Sequence, residues 1–183
     1  MKFNVNQNDL EQSLGYCQGV IEKRSTLPIL SNILLDASNS KLSIIATDLD
    51  LIFINEIKNV EILEEGKTTT TSSIMYDIIR KFSSGKKINF SLSNENKIQL
   101  ESEKSIFNLN CIPASEFPLT DENFTGNEFK IKSKQLLKLL NKCKFAISND
   151  ETRHYLSGIY LHQTNLDDKN FLTAAATDSH RMS

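Results

Sequence analysis

The sequence predicts an α+β protein made of repeated domains, each laying a helix on antiparallel strands. Two observations carry this. Within residues 1–112 the order strand, helix and several short strands occurs twice, and much of that pattern returns 126 positions later.

The long repeat is read residue by residue. Phe3/Phe129, Val5/Ile131, Leu10/Leu136, Leu14/Leu140, Cys17/Cys143, Ile21/Ile147, Leu30/Leu156, Ser31/Ser157, Ile33/Ile159 and Leu35/Leu161 all stand 126 apart. Beyond a turn the offset becomes 130, pairing Ala46-Thr47-Asp48 with Ala176-Thr177-Asp178. The four extra residues are expected in a hairpin loop, where insertions cost little.

In chain order, residues 2–5 alternate as a strand, and Asn6 to Asp9 supplies a helix cap. That helix has an apolar face of Leu10, Leu14, Cys17 and Ile21, and a polar, uncharged face of Asn8, Gln12, Tyr16 and Gly19. Leu27-Pro28 punctuates the entry to a strand from Ile29 to Leu35, which a Ser/Asn turn joins to a strand from Leu42 to Ala46. Strands follow at 51–57, 60–62 and 67–71, with Glu64-Glu65-Gly66 as a turn. Ser72 or Ser73 caps a second helix with Ile74, Met75, Ile78, Ile79 and Phe82 at helical spacing and Arg80 on the far side. Three strands (87–92, 97–101, 106–111) complete the unit.

Residues 113–128 hold two of the three prolines and an acidic, polar tail, which reads as an interdomain connection. The first domain is placed at 1–122, a linker at 123–128 and a second domain, present only in its N-terminal part, at 129–183. Its expected elements are a strand at 129–132, a helix from Ser133 to about Ile147, a loop at 148–153, and strands at 154–163 and 171–176.

Composition narrows the function. The chain is 39% apolar and 24% charged, with no apolar run near 18 residues and no signal-peptide block after Met1. A cytoplasmic protein without membrane partners is expected. Cys17 and Cys143 fall on apolar helix faces and Cys111 ends a strand, which suits packed, reduced thiols. Net charge is only −2, yet Lys130, Lys132, Lys134, Lys138, Lys142 and Lys144 give residues 129–148 a local +6, leaving −8 elsewhere. Basic helices on an acidic protein present different faces to different partners.

Asp48 and Asp50, with Asp178 and His180, offer a metal-site reading, and with it a metal-dependent nucleic-acid enzyme. A strand-end turn in which Thr and Asp side chains bond backbone amides is the plainer reading. No phosphate-binding glycine loop or nucleophile elbow accompanies the aspartates, so no cofactor and no catalysis are expected.

Met1-Lys2-Phe3-Asn4-Val5, Arg24 to Asn32 (RSTLPILSN), Ala46 to Asp50 (ATDLD), Pro113 to Pro118 (PASEFP), Tyr155 to Gly158 (YLSG) and Ala176 to Arg181 (ATDSHR) come in the order and spacing of the bacterial DNA polymerase III beta subunits, the sliding clamps. The chain resembles that family over nearly its whole length. The resemblance implies a DNA clamp fold of three domains per protomer, closed head to tail into a homodimeric ring around duplex DNA and loaded by an ATP-dependent clamp loader. It implies a non-catalytic processivity factor that tethers the polymerase III alpha subunit and other proteins bearing a clamp-binding motif. This chain would hold domain one and part of domain two, with domain three absent.

Site residues follow from the same resemblance. Sequence-independent DNA contact is implied for Arg24, Arg80, Lys134, Lys138, Lys142, Asn149 and Arg153. A partner-peptide groove is implied at Leu156, Thr177, Ser179, His180, Arg181 and Met182, with Ser179 where the family has glycine and so ill suited to positive φ. Ile78, Phe82, Phe107 and Leu109 match the first-domain side of the ring interface.

Overall fold

A computed structural model describes residues 1–21, 27–94, 96–119 and 129–183, leaving aside the side chains of Asn94 and Glu151. Arg24 and the linker at 123–128 lie outside the described residues. The chain divides into two compact units, Met1–Glu122 and Asn123–Ser183. No helix among the described residues is long and apolar enough to cross a membrane.

The first unit runs β1 (Lys2–Asn6), α1 (Gln7–Cys17), β2 (Asn32–Ser38), β3 (Lys41–Thr47), β4 (Ile52–Ile57), β5 (Val60–Glu64), β6 (Gly66–Thr71), α2 (Ser72–Ile79), β7 (Lys87–Asn94), β8 (Lys97–Ser102) and β9 (Ser105–Ile112). All pairings are antiparallel, in the order β4-β3-β2-β6-β9-β8-β7-β1-β5. The order shows two like halves, each a strand, a helix and a three-stranded meander, with β5 added at the edge beside β1. The first strand of each half pairs with the first meander strand of the other, β1 with β7 and β6 with β2.

Burial explains this arrangement. Asn6 starts α1 by accepting the Asn8 amide at 2.9 Å, and Leu10, Leu14 and Cys17 follow at helical spacing, each fully buried. They meet Phe3, Ile33, Leu35, Ile44, Met75, Ile79 and Phe90 in one core, where Phe3 stacks on Phe90 with ring centroids 4.6 Å apart. Burial pushes the Cys17 thiol up to about 12, so it is an inert packing group. The three cysteines are free and buried.

The second unit holds α3 (Ser133–Cys143), β10 (Tyr160–Leu166) and β11 (Lys169–Ala175), with a small core of Cys143, Ala146 and Ala176. Three expectations change here. Residues 129–132 are not a strand, and Phe129 is 71% exposed. Its counterpart β1 is held between β5 and β7. The strands expected from Ile29 and from 154 begin later, because a 3-10 turn (Pro28–Ser31, Glu151–Leu156) precedes the strand in both units. The helix expected to reach Ile147 ends at Cys143 and tightens into a 3-10 turn, Lys144–Ala146.

The extra four residues lie in the strands, not in a loop. Both hairpins close on two residues with positive φ, Asn39 (50°) and Ser40 (59°) in one and Asp167 (49°) and Asp168 (58°) in the other. The repeat-matched rungs are Leu35↔Ile44 and Leu161↔Ala174; the first is followed by pairs down to Ser38↔Lys41, the second by pairs down to Leu166↔Lys169. Each arm of the second hairpin is therefore two residues longer. An even insertion leaves every side chain on its own face, since the strand period is two.

Candidate functional site

The basic face of the second unit is built by α3. Its apolar stripe, Leu136, Leu139, Leu140 and Cys143, turns inward, while Lys134, Lys138 and Lys142 are exposed on the other side. Among the described residues the ammonium groups of these three make no ion pair and no hydrogen bond. From Lys134 to Lys142 the helix rises roughly 12 Å, which spans three or four phosphates at about 3.4 Å per step along one strand. In the first unit Arg80 sits at the end of α2, exposed, with its guanidinium 5.3 Å from the centre of the Tyr76 ring.

Asn149 is exposed at the start of the loop that leads into the second hairpin, and Arg153 is partly buried at a kink with φ −116° and ψ 54°. The loop is organised by Asp150, which sequence reasoning passed over. Its carboxylate accepts the Thr152 amide (3.0 Å), the Thr152 hydroxyl (2.6 Å) and Arg153 Nε (2.8 Å). The Thr152 hydroxyl and amide, then Arg153, hold the Asp150 carboxyl at about 2. The signal was there as an Asp two residues before a Thr at the head of a helical turn.

The turn 177–182 is equally tight. Thr177 Oγ1 accepts the Ser179 amide (3.1 Å) and donates to the Arg181 carbonyl (2.7 Å), and Thr177 bridges Met182. Asp178 accepts the His180 amide (3.0 Å), the Arg181 amide (2.9 Å) and Arg181 Nε (2.8 Å), and these bonds draw its carboxyl below the ordinary range. Arg181 also lies 5.7 Å from the centre of the exposed Phe145 ring, a neighbour the sequence did not suggest. Ser179 stands at φ 78°, contrary to the expectation that it would avoid positive φ. His180 and Met182 are exposed, Met182 at 76%, while Leu156 is half-buried. The loop and the turn meet where Arg153 Nη1 donates to Ser179 Oγ at 3.2 Å.

Asp48 and Asp178 are turn formers. Asp48 accepts the amides of Asp50 (3.0 Å) and Leu51 (2.7 Å), as Asp178 does one repeat later. No group of three His, Cys, Asp or Glu side chains that could hold a metal ion occurs among the described residues.

At the expected ring edge, Phe82 and Phe107 meet edge to face at 5.6 Å, Phe107 is 37% exposed and Ile78 is half-buried against the core. Leu109 is 8% exposed and packs in the core. Among the described residues β9 pairs with β8 from Ser105 to Asn110 and meets β6 at Cys111 and Ile112, and along one face exposure falls from 37% at Phe107 to 8% at both Leu109 and Cys111.

Comparison with known proteins is consistent along the chain. Residues 1–121 match the family model of the DNA polymerase III beta subunit, N-terminal domain, and residues 130–183 that of its central domain. The beta sliding clamp of Caulobacter vibrioides is 38% identical over 183 residues, all of this chain and 49% of that protein. That of Escherichia coli is 32% identical over 182 residues, covering 48% of it. A crystal structure of the C. crescentus beta sliding clamp superposes on all of this chain with TM-score 0.93, and one from Bartonella birtlesii, bound to griselimycin, gives 0.93 at 38% identity; each is covered to 48%. The chain spans about half the length of the curated relatives it matches.

Proposed function

This chain belongs to the DNA polymerase III beta-subunit family, and on that footing we propose that it supplies the first part of a sliding clamp that encircles duplex DNA and tethers the replicative polymerase. The observation that carries the reading is the exposed, acid-free row Lys134, Lys138 and Lys142 on a helix whose other face is apolar. Ammonium groups on flexible stems reach phosphates without reading bases, which is what a protein that slides requires. Arg80, Asn149 and Arg153 extend the same role, and Arg24 joins them on the sequence resemblance.

The turn 177–182 with Leu156 forms one side of a groove for the clamp-binding segments of the polymerase III alpha subunit and other partners, with Met182 and Leu156 as apolar surface and the fixed turn as frame. The β9 edge, with Ile78, Phe82 and Phe107, is the surface that a second protomer meets in a head-to-tail homodimer, because among the described residues its strand from Ser105 to Leu109 pairs with β8 alone. A clamp loader opens and closes that ring, and the place of work is cytoplasmic DNA. The domain boundaries are proposed at 122 and 129. The clamp's contribution is topological: holding polymerase at its template lengthens each synthesis event without altering the chemical step.

Primer extension tests this. Full-length protein added with clamp loader and polymerase to a primed circle should lengthen products at limiting polymerase; products of unchanged length contradict the assignment.

A further inference from the structure

We propose that Ser179 is a positioning residue that ties Arg153 to the turn of the peptide groove, so that a phosphate at Arg153 and a peptide in the groove act against each other; this rests on the function proposed above. Loop and turn are each held by their own aspartate, Asp150 in one and Asp178 in the other. Among the described residues, the side-chain hydrogen bond joining them is the one from Arg153 Nη1 to Ser179 Oγ.

The guanidinium geometry turns this bond into a coupling. A bidentate grip on phosphate uses a paired edge, either Nε with one Nη or the two Nη groups together. The Nε edge is engaged by Asp150 at 2.8 Å, so phosphate takes the two-Nη edge, where it draws Nη1 toward its charge and competes with the Ser179 hydroxyl 3.2 Å away. The Asp150 carboxylate is charged and anchored by Thr152 as well, so the hydroxyl is the partner that yields. Phosphate at Arg153 thus frees Ser179, which stands at φ 78° and depends on its surroundings to stay there. A peptide that needs the ordered turn favours the tied arrangement, and linkage makes the effect reciprocal. The first unit has Leu49 at this place in its own turn, with no hydroxyl to offer, so the device belongs to the second unit.

The test uses full-length protein and a fluorescent synthetic peptide copying the clamp-binding segment of the polymerase III alpha subunit. Peptide Kd is measured on free clamp and on clamp loaded on nicked circular DNA. One hydrogen bond's worth of coupling should weaken the peptide on DNA by about two- to tenfold. Ser179→Gly removes the hydroxyl while suiting positive φ and should abolish the difference, as should Arg153→Ala. Ser179→Asn, which tolerates the left-handed region and keeps an acceptor, should restore it. An unaltered DNA effect in Ser179→Gly, or none in the unsubstituted protein, overturns the coupling and leaves the groove standing. Failure of the peptide to bind free, unsubstituted clamp removes the groove and the coupling with it.

Discussion

Leu49 and Ser179, 130 positions apart, adopt the same left-handed backbone, at φ 81° and 78°. Each follows a Thr-Asp pair. Thr47 Oγ1 accepts the Leu49 amide at 3.0 Å as Thr177 Oγ1 accepts that of Ser179 at 3.1 Å. Two side chains thus impose on a residue with a Cβ what glycine would adopt freely.

That relationship predicts a graded response at position 49, where the side chain is 54% exposed and little packing is at stake. Leu49→Val, β-branched and averse to positive φ, should destabilise by about 1–2 kcal/mol. Leu49→Gly should be neutral or stabilising by up to about 1 kcal/mol. Urea midpoints for the two variants check the order, and a Gly variant weaker than the Val variant contradicts it.

Asp150 makes a pH prediction. Its carboxyl is depressed from 3.8 to about 2, so its bonds to Thr152 and Arg153 stabilise the loop at pH above the unfolded value. That contribution is lost as pH falls below about 4 toward 2. A carboxyl NMR titration should give a midpoint near 2 in the folded protein, and a midpoint near 3.8 would show the loop bonds absent.

Leu14 and Leu140 are repeat partners in different surroundings. Leu14 is fully buried in the main core, whereas Leu140 is only partly buried. Leu14→Ala should cost about 2–5 kcal/mol. In this 183-residue chain Leu140→Ala should cost less than about 1 kcal/mol, since it removes less buried surface. Denaturation followed by probes in each unit separates the two losses.

The lysine row has a signature in salt. If Lys134, Lys138 and Lys142 each neutralise one phosphate, alanine at all three should lower the slope of log K against log salt by about 2.7. The loss should be equal on unrelated sequences. A variant that weakens one sequence and spares another would indicate base contact.

Much of this was legible because a repeat doubles each signal. The face Leu10, Leu14, Cys17 was readable from helical spacing, and the turn chemistry of Asp48 and Asp178 from their Thr neighbours. What escaped has physical reasons. An apolar run such as Pro28 to Leu35 does not say where a 3-10 turn yields to a strand, since both present the same residues inward. The hairpin insertion looked like a loop because an even extension preserves the apolar alternation on both arms. Residues 129–132 carry a strand pattern, but a strand needs partners to pair with. Leu109 shares a face with Phe107, and only the entry of β9 beside β6 decides that one is core and the other edge.

The central claim is topological, and retention on DNA of different connectivity tests it most directly. Full-length protein, loaded by its clamp loader onto nicked circular DNA, should remain bound through gel filtration and should be lost once the circle is cut and its ends are free. Equal retention on circular and linear DNA would mean that the lysine face merely adheres, and the encircling ring would be the wrong account.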